Sequence, residues 1–229
     1  MKRAIILFFS FLLILSCESE YKRRFKEAIK LSKSKKMEDW EKAIEKYNEV
    51  IEYKVMAKDN QALIYRKLGK RHFELEHYND ALYYYKKAAE ILPNVAPIHY
   101  FIGVCYSQLS LSATNEDVKM ELIKKAETEF KITLKLDPNF ADAYYNLGII
   151  NFYAYNNYRK GIELMAEVLR INPQHIDAHF ALGRFYYEMG EYLKSLEFYK
   201  ALLSLLPPSD KRVEQVKENI SQIYREIGR

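Results

Sequence analysis

The sequence predicts an all-α protein built as a solenoid of repeated helical hairpins. Four stretches of similar pattern each end in a proline, at positions 93, 138, 173 and 207. Four apolar-glycine pairs alternate with them, and their glycines at 69, 103, 148 and 183 are 34, 45 and 35 residues apart. Periods of this length are typical of stacked helix-turn-helix units. Each unit is too small to bury its own apolar face, so stacking supplies the core.

The N-terminus has the pattern of a secretory signal. Lys2 and Arg3 precede an apolar run from residue 4 to residue 15 that only Ser10 interrupts. The run is shorter than the ~20 residues that a membrane-spanning helix needs. With Ser16 and Cys17 at its end, the segment resembles a bacterial lipoprotein signal of the looser kind found in spirochaetes. The alternative is an ordinary signal peptide or an uncleaved anchor.

The resemblance implies a signal peptide over residues 1–16 and a lipidated N-terminus and tether over residues 17–22. Lipid on Cys17 would anchor the protein to a membrane of the bacterial cell envelope, on the periplasmic face of the inner or outer membrane or on the cell surface. Cys105 would then have no disulfide partner and is expected to be a buried thiol.

The charge balance gives no reason to expect a nucleic-acid partner. Removal of residues 1–16 lowers the basic count from 36 to 34 against 31 acidic residues, a net charge of +3. Eight basic residues do cluster between Tyr21 and Lys36, with Glu27 as the single acid. Beside a lipid anchor this cluster could lie against anionic headgroups, and the alternative is a solvated helix face.

The repeated residues resemble the tetratricopeptide repeat, a helix-turn-helix unit of about 34 residues. The last repeat shows the pattern best, with His179, Leu182, Gly183, Tyr186, Gly190, Tyr192, Ser195, Tyr199, Leu202 and Pro207. The first clear repeat has Tyr65, Leu68, Gly69, Ala81, Tyr85, Ala88 and Pro93. The resemblance implies a right-handed superhelical solenoid of about five repeats with a C-terminal capping helix.

The spacing divides the chain into these units. The distance from glycine to proline is 24, 35, 25 and 24 residues in successive repeats, so the third carries an insertion of about 11 residues, and we expect Asn115 to begin its second helix. The predicted boundaries are a degenerate repeat at 23–56, then repeats at 57–94, 95–139, 140–174 and 175–208, and a capping helix at 209–229. We expect Ser209 and Asp210 to cap this last helix, and a contact between copies of the chain is the alternative role for it.

No catalytic signature occurs in the sequence, so we predict neither an enzyme nor a cofactor. His72 and His77 are five residues apart, which would place them on different sides of a helix. His175 and His179 are four apart, which is ligand spacing. The position of His179 is filled by histidine or tyrosine in other repeats, as expected of a packing position, and we predict no metal site.

In tetratricopeptide repeats the first helix of each hairpin lines a concave groove, and the resemblance implies which positions face it. Here these are Arg66, Lys70, Phe73, Tyr100, Val104, Ser107, Asp142, Tyr145, Asn146, Ile149, Phe152, Tyr153, Phe180, Arg184 and Tyr187. The set is aromatic in its middle and basic towards its ends, which suits an extended peptide or a partner helix. The alternative is that several of these aromatics pack against neighbouring repeats or against the helix nearest the lipid anchor.

These observations predict a membrane-anchored scaffold or adaptor lipoprotein that binds a protein or peptide partner, in envelope assembly. The alternative is a small-ligand-binding component associated with a transporter. An enclosed cavity covered by the insertion would favour the alternative, and an open groove would favour the adaptor.

Overall fold

The structure, a computed structural model, describes residues 22–50 and 55–228, and these two ranges contain helices and no strand. The all-α prediction is therefore confirmed. The helices are α1 (residues 22–32), α2 (Met37–Val50), α3 (Val55–Glu74), α4 (Tyr78–Ile91), α5 (Ala96–Leu111), α6 (Glu116–Leu136), α7 (Ala141–Ile149), α8 (Tyr158–Ile171), α9 (Ile176–Glu188), α10 (Tyr192–Leu205) and α11 (Arg212–Ile227). A π-helix, Ile150–Ala154, continues α7.

Four of the helices end two residues before a proline. The helices α4, α6, α8 and α10 stop at Ile91, Leu136, Ile171 and Leu205. Proline lacks a backbone N–H and keeps the residue before it out of the α region, so a helix cannot run through these positions. The repeated prolines therefore determine where the second helix ends in four of the hairpins.

The chain divides into two compact units, up to Ser112 and from Ala113 onwards. In the first unit, Tyr47, Ile64 and Leu68 lie in a buried cluster, with the half-buried Trp40 packed against it. In the second unit one buried cluster joins α7, α8 and α9, and another joins α10 to α11. Each unit thus has its own apolar core.

The apolar-glycine pairs mark the closest approach between the two helices of a hairpin. A Cβ atom added to Gly69 would lie 3.0 Å from the ring of Tyr85, and one added to Gly183 would lie 2.9 Å from the ring of Tyr199. Both tyrosines are nearly fully buried. Glycine is needed here because a tyrosine of the second helix lies directly on the first.

The insertion in the third repeat lies within two long helices. The helices α5 and α6 contain 16 and 21 residues, respectively. The prediction for Asn115 is confirmed, because its side chain accepts a hydrogen bond from the backbone N–H of Val118 at the start of α6. The helix α3 begins at Val55, two residues before the predicted start of its repeat.

The fourth hairpin, α7 with the π-helix and α8, contains one residue more than the fifth hairpin, α9 and α10. In the π-helix the N–H of Tyr155 donates to the carbonyl of Ile150, five residues back, instead of four. The extra residue enlarges this one turn and leaves the rest of the hairpin regular. This turn explains why Gly148 and Pro173 are 25 residues apart, whereas Gly183 and Pro207 are 24 residues apart.

The prediction that Phe152 faces the groove is wrong. Its side chain is 1% exposed and stacks on Phe185, with ring centroids 3.7 Å apart. Counting in α-helical turns from Gly148 placed it on the groove face, but the π-turn rotates it into the core.

The last helix, α11, packs its buried Val213, Val216 and Ile223 into a cluster with residues of α10. The expected caps are confirmed only for Asp210. The assigned N-cap residue is Lys211, which makes no side-chain cap bond, but the carboxylate of Asp210 accepts bonds from the guanidinium of Arg212 and from the backbone N–H of this first helical residue. These bonds lower the pKa of Asp210 to about 2.

No helix within residues 22–50 and 55–228 combines the length and the apolar character needed to cross a membrane. The predicted signal peptide, Cys17 and residues 18–21 of the tether lie outside the described residues.

A candidate binding cleft in the second unit

The second unit contains a cleft of about 580 Å³ between the first helices of its two hairpins and α11. One wall belongs to α7 and the π-helix, the second to α9, and the third to α11. The lining residues are Tyr145, Ile149, Tyr153, Phe180, Ala181, Arg184, Phe185, Tyr187, Glu188, Tyr199, Gln215, Asn219 and Gln222.

Six of the predicted groove residues line this cleft, namely Tyr145, Ile149, Tyr153, Phe180, Arg184 and Tyr187. Asp142 and Asn146 are outside its lining, and the amide of Asn146 donates to the carbonyl of Asp142 at 2.8 Å. The structure thus brings the aromatic part of the predicted groove in the second unit together around one space.

The ring of Tyr145 is held in place by the next hairpin. It stacks on His175, with ring centroids 5.7 Å apart. His175 is itself fixed, because its Nδ1 accepts from the N–H of Ala178 and its Nε2 donates to the carboxylate of Asp142 at 3.2 Å. Burial raises the pKa of Tyr145, with a smaller contribution from the charge of Asp177. Tyr145 therefore offers the cleft a rigid and uncharged aromatic face.

A second group on the cleft wall joins Tyr153, Arg184 and Glu188. The hydroxyl of Tyr153 donates to Oε1 of Glu188 at 3.1 Å, and Nε of Arg184 donates to the same oxygen at 2.8 Å. The guanidinium also lies 5.3 Å from the centroid of the Tyr153 ring. Burial raises the pKa of Tyr153, so its hydroxyl keeps its proton. The opposite charges of Arg184 and Glu188 pair with each other, so this wall carries no net charge.

The wall formed by α11 is made of amides. The side chain of Gln222 donates to the hydroxyl of Tyr187 at 2.8 Å, and that of Gln215 donates to Asn219 at 3.1 Å. This wall was not predicted from the sequence, because α11 was expected to be a cap or a contact between copies of the chain. The signal was present: Gln215, Asn219 and Gln222 are spaced by four and three residues, so they share one side of the helix next to its apolar stripe.

The predicted groove residues of the first unit lie on α3 and α5. Lys70 is exposed and forms an ion pair with Glu74 at 3.9 Å, and Phe73 meets the ring of Tyr78 edge-on at 5.3 Å. The other predicted groove residues of the first unit are half-buried, namely Arg66, Tyr100, Val104 and Ser107. Binding by these residues stays a prediction.

Two histidines share one role at the joints between hairpins. Nε2 of His99 lies 2.8 Å from the carbonyl oxygen of Pro93, and Nε2 of His179 lies 3.0 Å from that of Pro173. Each ring therefore donates to the proline that ends the preceding hairpin. The interpretation of this position as a packing position agrees with these contacts.

The placement of His72 and His77 on different sides of one helix is wrong. The helix α3 ends at Glu74, and the turn that follows brings His77 back beside His72, with ring centroids 6.0 Å apart. No motif marks where this helix stops, so residue spacing alone misplaced the pair.

Cys105 is fully buried in α5, and burial raises the pKa of its thiol to about 12. A thiol that stays protonated is a poor nucleophile and a poor metal ligand. The expectation of a buried, inert thiol agrees with this environment.

Comparison with family models now identifies the repeats. Residues 62–95 and residues 152–220 each match a model described as tetratricopeptide repeat. Both stretches are tetratricopeptide repeats. The first stretch includes the contact of Gly69 with Tyr85. The second stretch includes the whole fifth hairpin and the start of α11.

Two solved structures show the same fold. The crystal structure of MamA protein is 25% identical in sequence, and the match covers 73% of this chain and 82% of that one with a TM-score of 0.57. A tetratricopeptide repeat protein from Parabacteroides merdae is 17% identical over 92% of this chain and 74% of that one, with a TM-score of 0.62.

A relative from a spirochaete is similar along nearly the whole chain. A TPR repeat-containing protein of Borreliella burgdorferi is 24% identical over 223 residues, which span 94% of this chain and 95% of that protein.

Proposed function

We propose that the cleft of the second unit binds an extended peptide segment of a partner protein, so that the protein acts as a scaffold or adaptor. The tetratricopeptide fold is suited to protein–protein interaction. The observation that carries the proposal is the cleft itself, in which aromatic walls from two hairpins face the amides of α11.

The chemistry of the walls indicates what such a segment contains. Aromatic faces such as Tyr145 and Phe180 bury apolar side chains, and the amides of Gln215 and Gln222 can exchange hydrogen bonds with a peptide backbone. Because Arg184 and Glu188 neutralise each other, the cleft selects no charged group. We therefore expect a short segment with apolar side chains and little net charge.

The adaptor is favoured over the small-ligand alternative by the position of the insertion. An enclosed cavity covered by the inserted residues, around 109–122, would have supported a small ligand. No residue of this segment lines the cleft. The cleft volume alone does not separate the two, because about 300–1,000 Å³ is usual for small-molecule sites.

The test is site-specific photo-crosslinking from the cleft in the native cells. A photo-reactive amino acid replaces Tyr153, whose side chain lies in the cleft and is 40% exposed. The matched control replaces Tyr83 of α4, which is 56% exposed and, like Tyr153, lies next to a cation, Lys87. Tyr145 and Phe180 are less suitable because both pack against core clusters.

We expect one protein to be crosslinked from position 153 and not from position 83, and to be lost when Gln222→Ala is added. A peptide from the crosslinked region should then bind with little dependence on salt, because the cleft has no net charge. Crosslinks of equal yield from both positions, or none from either, would contradict the peptide-binding cleft.

We also propose that lipid on Cys17 anchors the protein to a membrane of the cell envelope and that it serves envelope assembly there. The support is the resemblance of residues 1–17 to a lipoprotein signal. In cells fed a labelled fatty acid, Cys17→Ala should abolish labelling and release the protein from the membrane fraction. The control Cys105→Ala should keep both, because that thiol is fully buried, and a labelled Cys17→Ala protein would contradict the anchor.

A contact between copies of the chain through α11 stays a prediction. Tyr224 and Ile227 on this helix are 52% and 44% exposed, respectively. Sedimentation of the protein and of a Tyr224→Glu variant tests it: a dimer that dissociates in the variant would support the contact, and a monomeric parent chain would contradict it.

A further inference from the structure

The turn between α3 and α4 gathers three side chains that can bind a metal ion. His72 lies in the last turn of α3, His77 is the N-cap residue of α4, and Asp80 lies one turn further on. One potential ligand atom from each of them lies within 4.8 Å of those of the other two. Nδ1 of His72 is 3.6 Å from Oδ2 of Asp80.

The backbone of the turn creates this arrangement. Glu76 has a positive φ of 60°, which reverses the chain direction, and the N–H of His77 donates to the carbonyl of His72 at 2.9 Å. The His72 ring is also stacked on Tyr84, with centroids 5.2 Å apart. The His72 ring is thus fixed by packing, whereas His77 and Asp80 are exposed to solvent.

The ligand set matches the preferences of zinc. Imidazole nitrogen and carboxylate oxygen bind Zn²⁺ at about 2.0–2.2 Å, which places ligand atoms about 3.4 Å apart in a tetrahedral site. The 3.6 Å between His72 and Asp80 is already close to this value. His77 and Asp80 are exposed, so rotation of their side chains can close the remaining gap. Three protein ligands leave a fourth position for water or a group from a partner.

His72 itself lacks the bonds that buried imidazoles normally make. Both of its ring nitrogens are buried and neither has a hydrogen-bond partner, although buried polar atoms are nearly always bonded. His99 and His179 each bond a proline carbonyl instead. A metal ion at His72 would satisfy one of these nitrogens.

The other hairpins show that this set is not part of the repeat. Counted from its glycine, the fifth hairpin has Tyr186, Glu191 and Lys194 at the corresponding positions. The fourth hairpin has Asn151, Asn157 and Lys160, allowing for its extra residue. Both place a lysine, whose charge repels a cation, where the second hairpin has Asp80.

We propose that His72, His77 and Asp80 form a Zn²⁺ site that holds the turn between α3 and α4. The bound ion links the end of one helix to the start of the next and leaves one coordination position open on the surface.

The test measures Zn²⁺ binding by the purified full chain in detergent, using isothermal titration calorimetry and thermal unfolding. We expect one ion per chain with micromolar or tighter affinity, and a melting temperature raised by on the order of 5–10 °C when free zinc exceeds Kd about 100-fold. Co²⁺ in place of Zn²⁺ should give the visible absorption of a tetrahedral nitrogen and oxygen site.

The variants His77→Ala and Asp80→Asn change exposed side chains, so both should fold. Each should weaken binding by at least about tenfold, the lower limit known for the loss of a group that only supports a ligand. Glu76→Gln, in the same turn but outside the set, is the matched control and should bind as the parent chain does. Absence of Zn²⁺ binding, or equal binding by all four proteins, would overturn the site.

Discussion

The fourth and fifth hairpins are built on one plan and differ by a single residue. In the fifth, Gly183 lies against Tyr199, which follows it by 16 residues in the chain. In the fourth, Gly148 lies against Met165, and the interval between these two is longer by one residue. The additional residue is taken up by the π-helix Ile150–Ala154 in one turn.

The difference shows what an inserted residue needs in order to be tolerated. The π-turn adds Phe152 to the core, and a Cβ atom at position 161 would lie 2.9 Å from the Cβ of Phe152. At this position of the repeat the fourth hairpin has Gly161, whereas the fifth hairpin has Ser195 and the second has Ala81. The extra core side chain and the missing Cβ thus compensate each other, and Tyr153 of the fourth hairpin still lines the cleft, as Tyr187 of the fifth does.

The largest effect is expected at the additional core side chain. Phe152→Ala should lower the free energy of unfolding by about 3–5 kcal/mol, because it removes a fully buried ring stacked on Phe185. Tyr153→Ala changes the next residue, which is 40% exposed, and should cost about 1 kcal/mol through its lost hydrogen bond. Urea unfolding of both variants would measure the difference, and equal costs would contradict the placement of Phe152 in the core.

A smaller loss is expected at the glycine that admits this ring. Gly161→Ala should destabilise the protein by about 1–3 kcal/mol, because the new methyl group would contact the backbone of Phe152 and the carbonyl of Gly148. The reciprocal control, Ala81→Gly in the second hairpin, makes no overlap and should cost about 1–2 kcal/mol, from the lower helix propensity of glycine and the loss of a fully buried methyl group.

Removal of Phe152 together with Gly161→Ala would restore the spacing of the fifth hairpin. We expect this double variant to be more stable than the variant that lacks Phe152 alone, since the methyl group added at position 161 then has room and favours the helix. Its crystal structure should show an α-helical turn in place of the π-turn. A π-turn that persists in this variant would mean that the extra residue does not cause it.

The smallest effects are expected at the turns that follow. Gly190 has a φ of +74°, and Asn156, at the same place in the fourth hairpin, has a φ of 52°. Gly190→Ala should cost about 1–2 kcal/mol from backbone strain alone, since no atom lies within 4 Å of the added Cβ. Asn156→Gly should change stability by about 0.5 kcal/mol or less, because asparagine tolerates this conformation. Thermal unfolding of the two variants would show whether the turns behave alike.

The parts of the fold that depend on repeated residues could be predicted from the sequence. In two hairpins a glycine lies against a tyrosine, and in four a proline follows the second helix; these positions were predicted correctly at Gly69, Gly183 and Pro173. Prediction failed where the chain departs from the repeat. Phe152 was misplaced because counting assumes α-helical turns, and His77 because the end of α3 was not marked by any residue. The amide wall of α11 was missed because that helix lies outside the repeats.

The hydrogen bond from His179 to the carbonyl of Pro173 joins two groups only six residues apart in the chain. The bond from His99 to Pro93 has the same form in another hairpin. A duplicated gene segment that runs from one proline to the next would therefore encode both partners of the histidine–proline hydrogen bond at the junction between hairpins. Evolution can therefore add or remove whole hairpins without further substitutions to form the contact at each junction.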